Sequence, residues 1–310
     1  MGQSLGKTPQ MSFSRNIEDY PQGIILAIDK PYRWTSADVV RKVKYAAKRH
    51  FGKSNLKVGH AGTLDPLATG ILIVCIGAAT KKAEQLQASP KTYMAGVSFG
   101  ATTPSFDREK DIDKICPLDG VSLETLKAVL PSFTGEQDQV APIFSAKSVD
   151  GVRAYETARK LLKQARRDGV AFDHSAAQLL QTNRINIYEL KVAEWLDAPP
   201  EADASGPSLP LIPPTAWAPP AIKRGCLGSS APASGGASGR INVAPIGGYS
   251  LPTAMLEVRC SKGTYIRALA RDLGEALGSG AFLSSLRRIE NGGFTIEQAI
   301  TIEEALGLLD

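Results

Sequence analysis

The chain has 310 residues, 43% of them hydrophobic, so it can bury the core of one large domain or two small ones. Its formal net charge of +5 fits an anionic partner such as RNA, and it equally fits an ordinary, slightly basic enzyme. No apolar run approaches the roughly 20 residues that span a bilayer, and the first residues lack the apolar segment of a secretion signal.

The four cysteines and three histidines are scattered along the chain and form no recognisable metal-binding motif. We therefore expect neither a zinc site nor a disulfide framework. The cysteines are interpreted as free thiols in a reducing compartment. This predicts a cytoplasmic location, with organellar targeting as the open alternative.

The first predicted elements are a strand and a basic helix. Residues 23–31, "GIILAIDKP", are typical of a buried strand that runs into a turn. Ser36 is then expected to cap a helix that continues to about His50. One face of this helix is apolar. The other face is basic and predicts either RNA contact or simple solvation; it carries Arg41, Lys42, Lys44, Lys48 and Arg49.

The following segments alternate between the strand and helix patterns. The run 71–77 predicts a strand buried on both faces, and 91–100 alternates as a half-buried strand does. Thr301 and Glu304 form a capping box before a last short helix. Further helices are predicted over 123–130, from about 152 to 166 and over 264–278, and further strands over 184–195 and 253–263.

Two segments differ from the rest in composition. Residues 1–22 precede the first strand and are predicted to be a flexible N-terminal tail. Residues 198–252 hold 11 of the 20 prolines and 8 of the 29 glycines, a composition that cannot bury enough apolar surface to offset its ordering entropy. We predict a long disordered insertion there, within one catalytic domain over 23–310, and no C-terminal RNA-binding domain.

The stretch 60–70, "HAGTLDPLATG", places one carboxylate, Asp65, directly before a proline and between glycines. Such an aspartate is either a turn residue or a catalytic group, because the glycines allow both a tight turn and the close approach of a ligand. Other sites can be rejected: the chain has no complete P-loop, no dinucleotide fingerprint and no GxSxG or HExxH motif.

Five segments in order decide between these interpretations: "DKP", "GHAGTLDPLATGIL", "KTY", "CSKGTYIR" and "LRRI". Together they resemble the TruB family of pseudouridine synthases, the bacterial tRNA pseudouridine-55 synthases, over about 23–196 and 253–309. The resemblance implies an α+β fold with a mixed, largely antiparallel sheet flanked by helices. It also implies an isomerase that needs no cofactor and no obligate protein partner, and that acts on the TΨC stem-loop of tRNA, away from membranes.

The resemblance also implies roles for individual residues. Asp65 is the implied nucleophile, by a covalent adduct or by assisting a glycal intermediate. Arg267 would be the cation that keeps it ionised, or else a surface arginine of its helix. Tyr93 would stack on the target base and assist proton transfer, or else be a core aromatic residue.

Other residues match positions that bind the RNA. His60 would insert near the flipped-out uridine, although a lone histidine is often structural. Tyr265 and Leu286 would line the uridine pocket or simply belong to the core. Lys30 is expected to support the active-site loop. Phosphate contacts are expected from Lys262 and from Arg287 or Arg288.

One segment departs from the family pattern. Where the family has Thr-Asp-Thr, this chain has Thr103-Pro104-Ser105, which puts an RNA contact there in doubt. Two rival functions stay open: a tRNA-binding folding chaperone with dispensable catalysis, and a synthase of the same class that acts on another RNA.

Overall fold

The computed structural model describes residues 12–144, 148–149, 152–168, 182–197, 241, 243–244 and 250–310. Two compact units are present: unit 1 is Met1–Ser89 with Arg288–Asp310, and unit 2 is Pro90–Arg287. The α+β class and the mixed, largely antiparallel sheet are confirmed. The single catalytic domain over 23–310 stays a prediction. The predicted insertion at 198–252 lies almost entirely outside the described residues.

The described part of the chain contains thirteen β-strands, distributed over both units. They are β1 (Ile24–Lys30), β2 (Val58–His60), β3 (Thr69–Ile76), β4 (Lys91–Phe99), β5 (Ala101–Thr102), β6 (Lys114–Ile115), β7 (Gly135–Val140), β8 (Ser148–Val149), β9 (Val152–Arg153), β10 (Thr182–Leu196), β11 (Thr253–Cys260), β12 (Ala281–Asn291) and β13 (Phe294–Thr295).

Six α-helices and four 3-10 helices lie in the described residues. The α-helices are α1 (Ser36–His50), α2 (Ala83–Ala88), α3 (Leu123–Val129), α4 (Ala154–Asp168), α5 (Ile266–Ala276) and α6 (Ile302–Gly307). The 3-10 helices are Ile17–Asp19, Gly77–Lys82, Leu130–Phe133 and Ile296–Gln298. Among the described residues, no helix combines the length and the hydropathy needed to cross a bilayer.

Unit 1 is built around β3, which pairs antiparallel with β1 and β2. All eight residues of β3 are buried, because α1 and α6 pack on one face and a second apolar cluster covers the other. The prediction of a strand buried on both faces is therefore confirmed. Residues 12–22 fall within the predicted tail, and in the structure they pack on this unit: Ile17 is buried and the Phe13 N–H donates to the Leu308 carbonyl.

Helix α1 follows its predicted bounds, but its cap is not Ser36. Thr35 is the N-cap residue, and it forms a capping box with Asp38. The Ser36 side chain is instead buried and bonded to the backbone of Leu64, 28 residues further along the chain. The prediction missed this because Thr35 and Ser36 are both good caps, and only tertiary contacts decide which of them serves.

Unit 2 contains the strand order β12–β4–β11–β10–β7, with antiparallel registers from β4 to β7. The sequence predicted a half-buried β4, and this is wrong: all nine of its residues are buried. Its position between β12 and β11, with α5 packed against it, leaves neither face to solvent. Strand β12 was not predicted, because its half-polar sequence "AFLSSLRRIEN" shows no clear alternation.

Gly70 offers a test of how tightly β3 is packed. Its φ is +95°, and a Cβ there would lie 2.2 Å from the Arg288 carbonyl oxygen and 2.7 Å from the Arg288 nitrogen. We expect Gly70→Ala to lower the free energy of unfolding by roughly 3 kcal/mol or more, measured by urea denaturation. Gly52→Ala is the matched control, with φ +61° and no atom within 4 Å, and should cost only about 1 kcal/mol. Equal losses would contradict the close approach.

Candidate active site

The loop that carries Asp65 joins β2 to β3, and hydrogen bonds within the loop and to Ser36 of α1 hold it. The Leu64 N–H donates to the Ser36 hydroxyl at 2.9 Å, and the Ala68 N–H donates to the Asp65 carbonyl at 3.1 Å. Asp65 itself is half-buried, whereas its neighbour Leu64 is buried. The structure therefore presents Asp65 from an anchored loop, which is more than a surface turn requires.

Lys30, at the end of β1, is fully buried beneath this loop. Its ammonium group donates to the carbonyls of Trp34 at 2.6 Å, Pro31 at 3.0 Å and Pro66 at 3.3 Å. Burial lowers the pKa of Lys30 from 10.5 to about 7, and the nearby Asp65 carboxylate opposes this shift. The contact with Pro66 supports the predicted role of Lys30 in holding the loop.

Arg288 is a second buried cation at the same loop, and only 1% of it is exposed. Its Nε donates to the Ile71 carbonyl at 2.7 Å, and its Nη2 donates to the Gly62 carbonyl at 3.1 Å. A side chain so enclosed cannot reach a phosphate, so the predicted phosphate contact is wrong for Arg288. It supports the loop instead, a role that the sequence analysis missed.

His60 lies at the last position of β2 and is half-buried. Burial lowers the pKa of His60, and the positive charge of Arg288 lowers it further. The imidazole is therefore neutral at neutral pH. Its Nδ1 atom is buried without a hydrogen-bond partner among the described residues. His60, Lys30 and Asp65 thus belong to one group of residues around the loop in unit 1.

Arg267, the second residue of α5, is a buried cation of unit 2, with 6% of it exposed. It donates to the carbonyls of Ser105 at 3.1 Å and Phe144 at 3.0 Å. Its Nε lies 3.8 Å from Oδ2 of Asp107. The alternative of a surface helix arginine is therefore excluded by burial. Its predicted action on Asp65 stays a prediction.

The segment that departs from the family pattern holds Asp107 in place. The Ser105 hydroxyl donates to Oδ1 of Asp107 at 2.6 Å, and the Thr103 hydroxyl donates to the Asp107 carbonyl at 2.7 Å. The Glu109 N–H donates to the same Oδ1 at 2.9 Å. Thr103 and Ser105 are both buried. Sequence analysis missed Asp107, because nothing in "ATTPSFD" distinguishes a buried acid from a turn residue.

The remaining predicted residues of unit 2 lie on three elements. Tyr93 is buried in β4 opposite Val258 of β11. Tyr265 precedes α5, and its backbone is bonded in both directions to the Gln139 side chain. Leu286 is half-buried in β12, and Lys262 is exposed after β11. Their roles toward RNA stay predictions.

No group of three or more His, Cys, Asp or Glu side chains within the described ranges is arranged to hold a metal ion. The chemistry that the described side chains offer is that of a carboxylate, an imidazole, a phenol and buried cations.

Comparison with family models identifies two matches. The model of the TruB family pseudouridylate synthase N-terminal domain matches residues 48–197, and the model of the tRNA pseudouridylate synthase B C-terminal domain matches residues 267–309. The chain is 37% identical to the tRNA pseudouridine synthase B of Phocaeicola vulgatus over 94% of this chain and 95% of that protein. The chain belongs to the TruB family.

Other members of this family and two solved structures show similar coverage of the chain. The tRNA pseudouridine synthase B of Bacteroides thetaiotaomicron is 38% identical over 92% of both chains. A crystal structure of a Cbf5-Nop10-Gar1 complex is similar with a TM-score of 0.52 and 22% identity, and an H/ACA RNP bound to a substrate RNA with a TM-score of 0.50 and 21% identity. This chain covers 59% and 58% of those chains, so these likenesses show the fold alone.

The Arg267–Asp107 pair predicts a graded loss of stability. Asp107→Asn removes a negative charge that lies 3.8 Å from the buried guanidinium, and we expect the free energy of unfolding to fall by roughly 3 kcal/mol in urea denaturation. Ser105→Ala removes only the hydroxyl bond to Asp107 and should cost about 1 kcal/mol. Asp119→Asn, at an exposed site, is the control and should be neutral. An equally neutral Asp107→Asn would show that the pair contributes nothing.

The lowered pKa of Lys30 predicts a stability that changes with pH. The unfolded chain keeps this proton up to about pH 10, whereas the folded chain loses it near pH 7. The free energy of unfolding of the native protein, relative to Lys30→Met, should therefore rise between pH 7 and 10 by roughly 3 kcal/mol. Urea denaturation at each pH measures this difference. The exposed Lys57→Met should show a constant difference instead, and a constant difference for Lys30→Met would contradict the shift.

Proposed function

We propose that this chain is a tRNA pseudouridine synthase that converts uridine 55 in the TΨC loop to pseudouridine. The observation that carries the proposal is Asp65, half-buried in the family motif "HAGTLDPLATG" on a loop whose carbonyls at Pro66 and Gly62 accept from two buried cations. Relatives named tRNA pseudouridine synthase B, at 37% identity over 94% of the chain, support the same activity.

The reaction is an isomerisation in which the ribose C1′–N1 bond breaks, the base rotates and a C1′–C5 bond forms. The proton leaves C5 at the end, and neither water nor an oxidant is consumed. Asp65 is the proposed nucleophile, either attacking the sugar or assisting departure of the base. The anchored loop fits this role, since a reacting carboxylate has to be held in a fixed position beside the sugar.

The uridine has to leave its stacked position first, at a cost of a few kcal/mol. We propose that the neutral His60 ring enters the space it vacates. A neutral imidazole costs less to place among stacked bases than a charged one. Tyr93 is the proposed stacking partner of the flipped base, with Tyr265 and Leu286 as the lining of its pocket. Arg267 is proposed to keep Asp65 ionised, and Lys262 to contact a phosphate.

The proposals for the substrate and for the location rest on the names of the relatives and on the cysteines. The named relatives act on tRNA, and we propose the TΨC stem-loop as the part recognised, with no obligate protein partner. Cys75, Cys116 and Cys260 are buried and free. These free thiols support a reducing compartment, and we propose the cytoplasm.

The test is release of tritium from C5 of uridine in an unmodified tRNA transcript. We expect release by the native protein and a loss of at least about 10³-fold in Asp65→Asn, because the nucleophile is gone while the side-chain shape is kept. Asp119→Asn, at an exposed position, should release tritium at the native rate. Binding of the transcript, measured separately, should be similar in all three proteins.

The modified position is mapped by carbodiimide labelling, with a transcript carrying cytidine 55 as the substrate control. Binding without release by the native protein would overturn the synthase and favour the chaperone. Release at another uridine would overturn position 55. Equal release by the native protein and Asp65→Asn would show that another residue is the nucleophile.

A further inference from the structure

Helix α1 carries an exposed basic and aromatic surface that the proposed chemistry does not use. We name it the α1 basic surface. Four members lie on one side of the helix: Arg41 and Lys48 are each three or four residues from both Lys44 and Tyr45, and Lys42 lies beside them. With 72% of its surface exposed, Tyr45 is the most exposed large hydrophobic side chain among the described residues. The α1 basic surface consists of Arg41, Lys42, Lys44, Tyr45 and Lys48.

The charges on this surface are not balanced within the described part of the chain. Asp38 is the one acidic residue of α1, and it is bonded to Arg41 at 2.9 Å and engaged in the capping box. Lys44 and Lys48 have no ion-pair partner among the described residues. They lie four residues apart, where like charges destabilise a helix by a few tenths of a kcal/mol.

Two ordinary explanations account for only part of this pattern. Basic side chains near a helix C-terminus are stabilised by the helix dipole, which covers Lys48 and Arg49 but not the middle of the helix. Arg49 is in addition paired with Asp310. Solvation alone explains neither the large exposed ring of Tyr45 nor the concentration of like charge around it. A polyanion would relieve the repulsion and occupy the surface.

The α1 basic surface begins close to the Asp65 loop. Ser36, the first residue of α1, is bonded to Leu64 of that loop. Lys42 lies over the ring of Trp34, with its Nζ 5.2 Å from the ring centroid, and the Trp34 carbonyl accepts from Lys30. At 1.5 Å per residue, Arg41 to Lys48 lie about 8–18 Å along the helix from Ser36.

We infer that the α1 basic surface binds the sugar–phosphate backbone of the tRNA at a distance from the uridine that reacts. Lysine and arginine contact phosphates, and a tyrosine hydroxyl donates to phosphate oxygens. Such contacts recognise charge and not sequence, so they add affinity without affecting which base is modified. The inference rests on the proposed function only for the identity of the RNA.

The test compares two triple variants in tRNA binding at several salt concentrations. Lys42→Gln, Lys44→Gln and Lys48→Gln together should weaken binding about tenfold at low salt and reduce the slope of log Kd against log salt by about 2 to 3. Lys57→Gln, Lys81→Gln and Lys82→Gln together remove the same charge from exposed positions elsewhere in unit 1. This control variant should change the Kd and the slope of log Kd against log salt only slightly, by the amount that follows from the lower net charge of the protein.

Two further measurements separate this inference from the proposed function. Transcripts with uridine 55 or cytidine 55 should lose affinity equally, since phosphates are contacted in both. The rate of tritium release at saturating tRNA should stay at the native value in the α1 variant, because no member of the surface contacts the Asp65 loop directly. A native protein that releases no tritium but shows the lysine-dependent slope would refute the proposed function and support the surface.

Three results would overturn the inference. Equal slopes for the two triple variants would show that α1 makes no special contribution. If the α1 variant binds tRNA with the Kd and the salt dependence of the native protein, RNA contact at this helix is excluded. Unchanged tRNA binding together with lost binding to phosphatidylserine vesicles would assign the surface to an anionic membrane instead.

Discussion

Two positive charges inside unit 1, those of Lys30 and Arg288, fix the loop on which the proposed chemistry depends. A buried cation is costly unless hydrogen bonds replace its lost water. Here the replacements are backbone carbonyls, three around Lys30 and two around Arg288. Several of these carbonyls belong to the glycine- and proline-rich segment 60–71. That segment is rich in glycine and proline, and hydrogen bonds from the two cations to its carbonyls fix its backbone.

The same arrangement explains the electrostatics around Asp65. Lys30 lies close enough to Asp65 for the carboxylate charge to oppose the fall in the Lys30 pKa. Burial is the main cause of the lowered pKa values of His60 and Lys30, and the positive charge of Arg288 lowers both further. Unit 2 uses the complementary solution: the buried Arg267 has a buried carboxylate, Asp107, and two carbonyls as its partners. The Asp107 carboxylate offsets the Arg267 charge, and the Ser105 hydroxyl holds that carboxylate in place by a hydrogen bond.

Hydrophobic periodicity allowed the positions of many strands and helices to be predicted, because it is a local property, and the family resemblance supplied the α+β class and the candidate residues of the motif. It did not reveal which residues support them. The sequence offered Arg287 or Arg288 for phosphate contact. Arg288 is buried, and its backbone closely approaches Gly70, 218 positions away in the chain. Ser36 and Asp107 were missed for the same reason. Their partners lie in other segments, or their burial depends on tertiary packing.

The buried and exposed cations of unit 1 serve different purposes because water screens them differently. Lys30 and Arg288 are enclosed, so dissolved salt hardly weakens their action on the loop. Lys42 and Lys44 of α1 are exposed, and Lys48 is half-buried. Charges in solvent that are more than about 10 Å apart are largely screened at 0.1 M salt. An enclosed charge can therefore fix the geometry of a catalytic group with little dependence on salt concentration. An exposed charge acts only on a polyanion that comes close enough to displace its counterions. In unit 1 the enclosed cations lie on β1 and β12 and support the Asp65 loop, whereas the exposed cations lie on α1, where we propose that they hold the RNA reversibly.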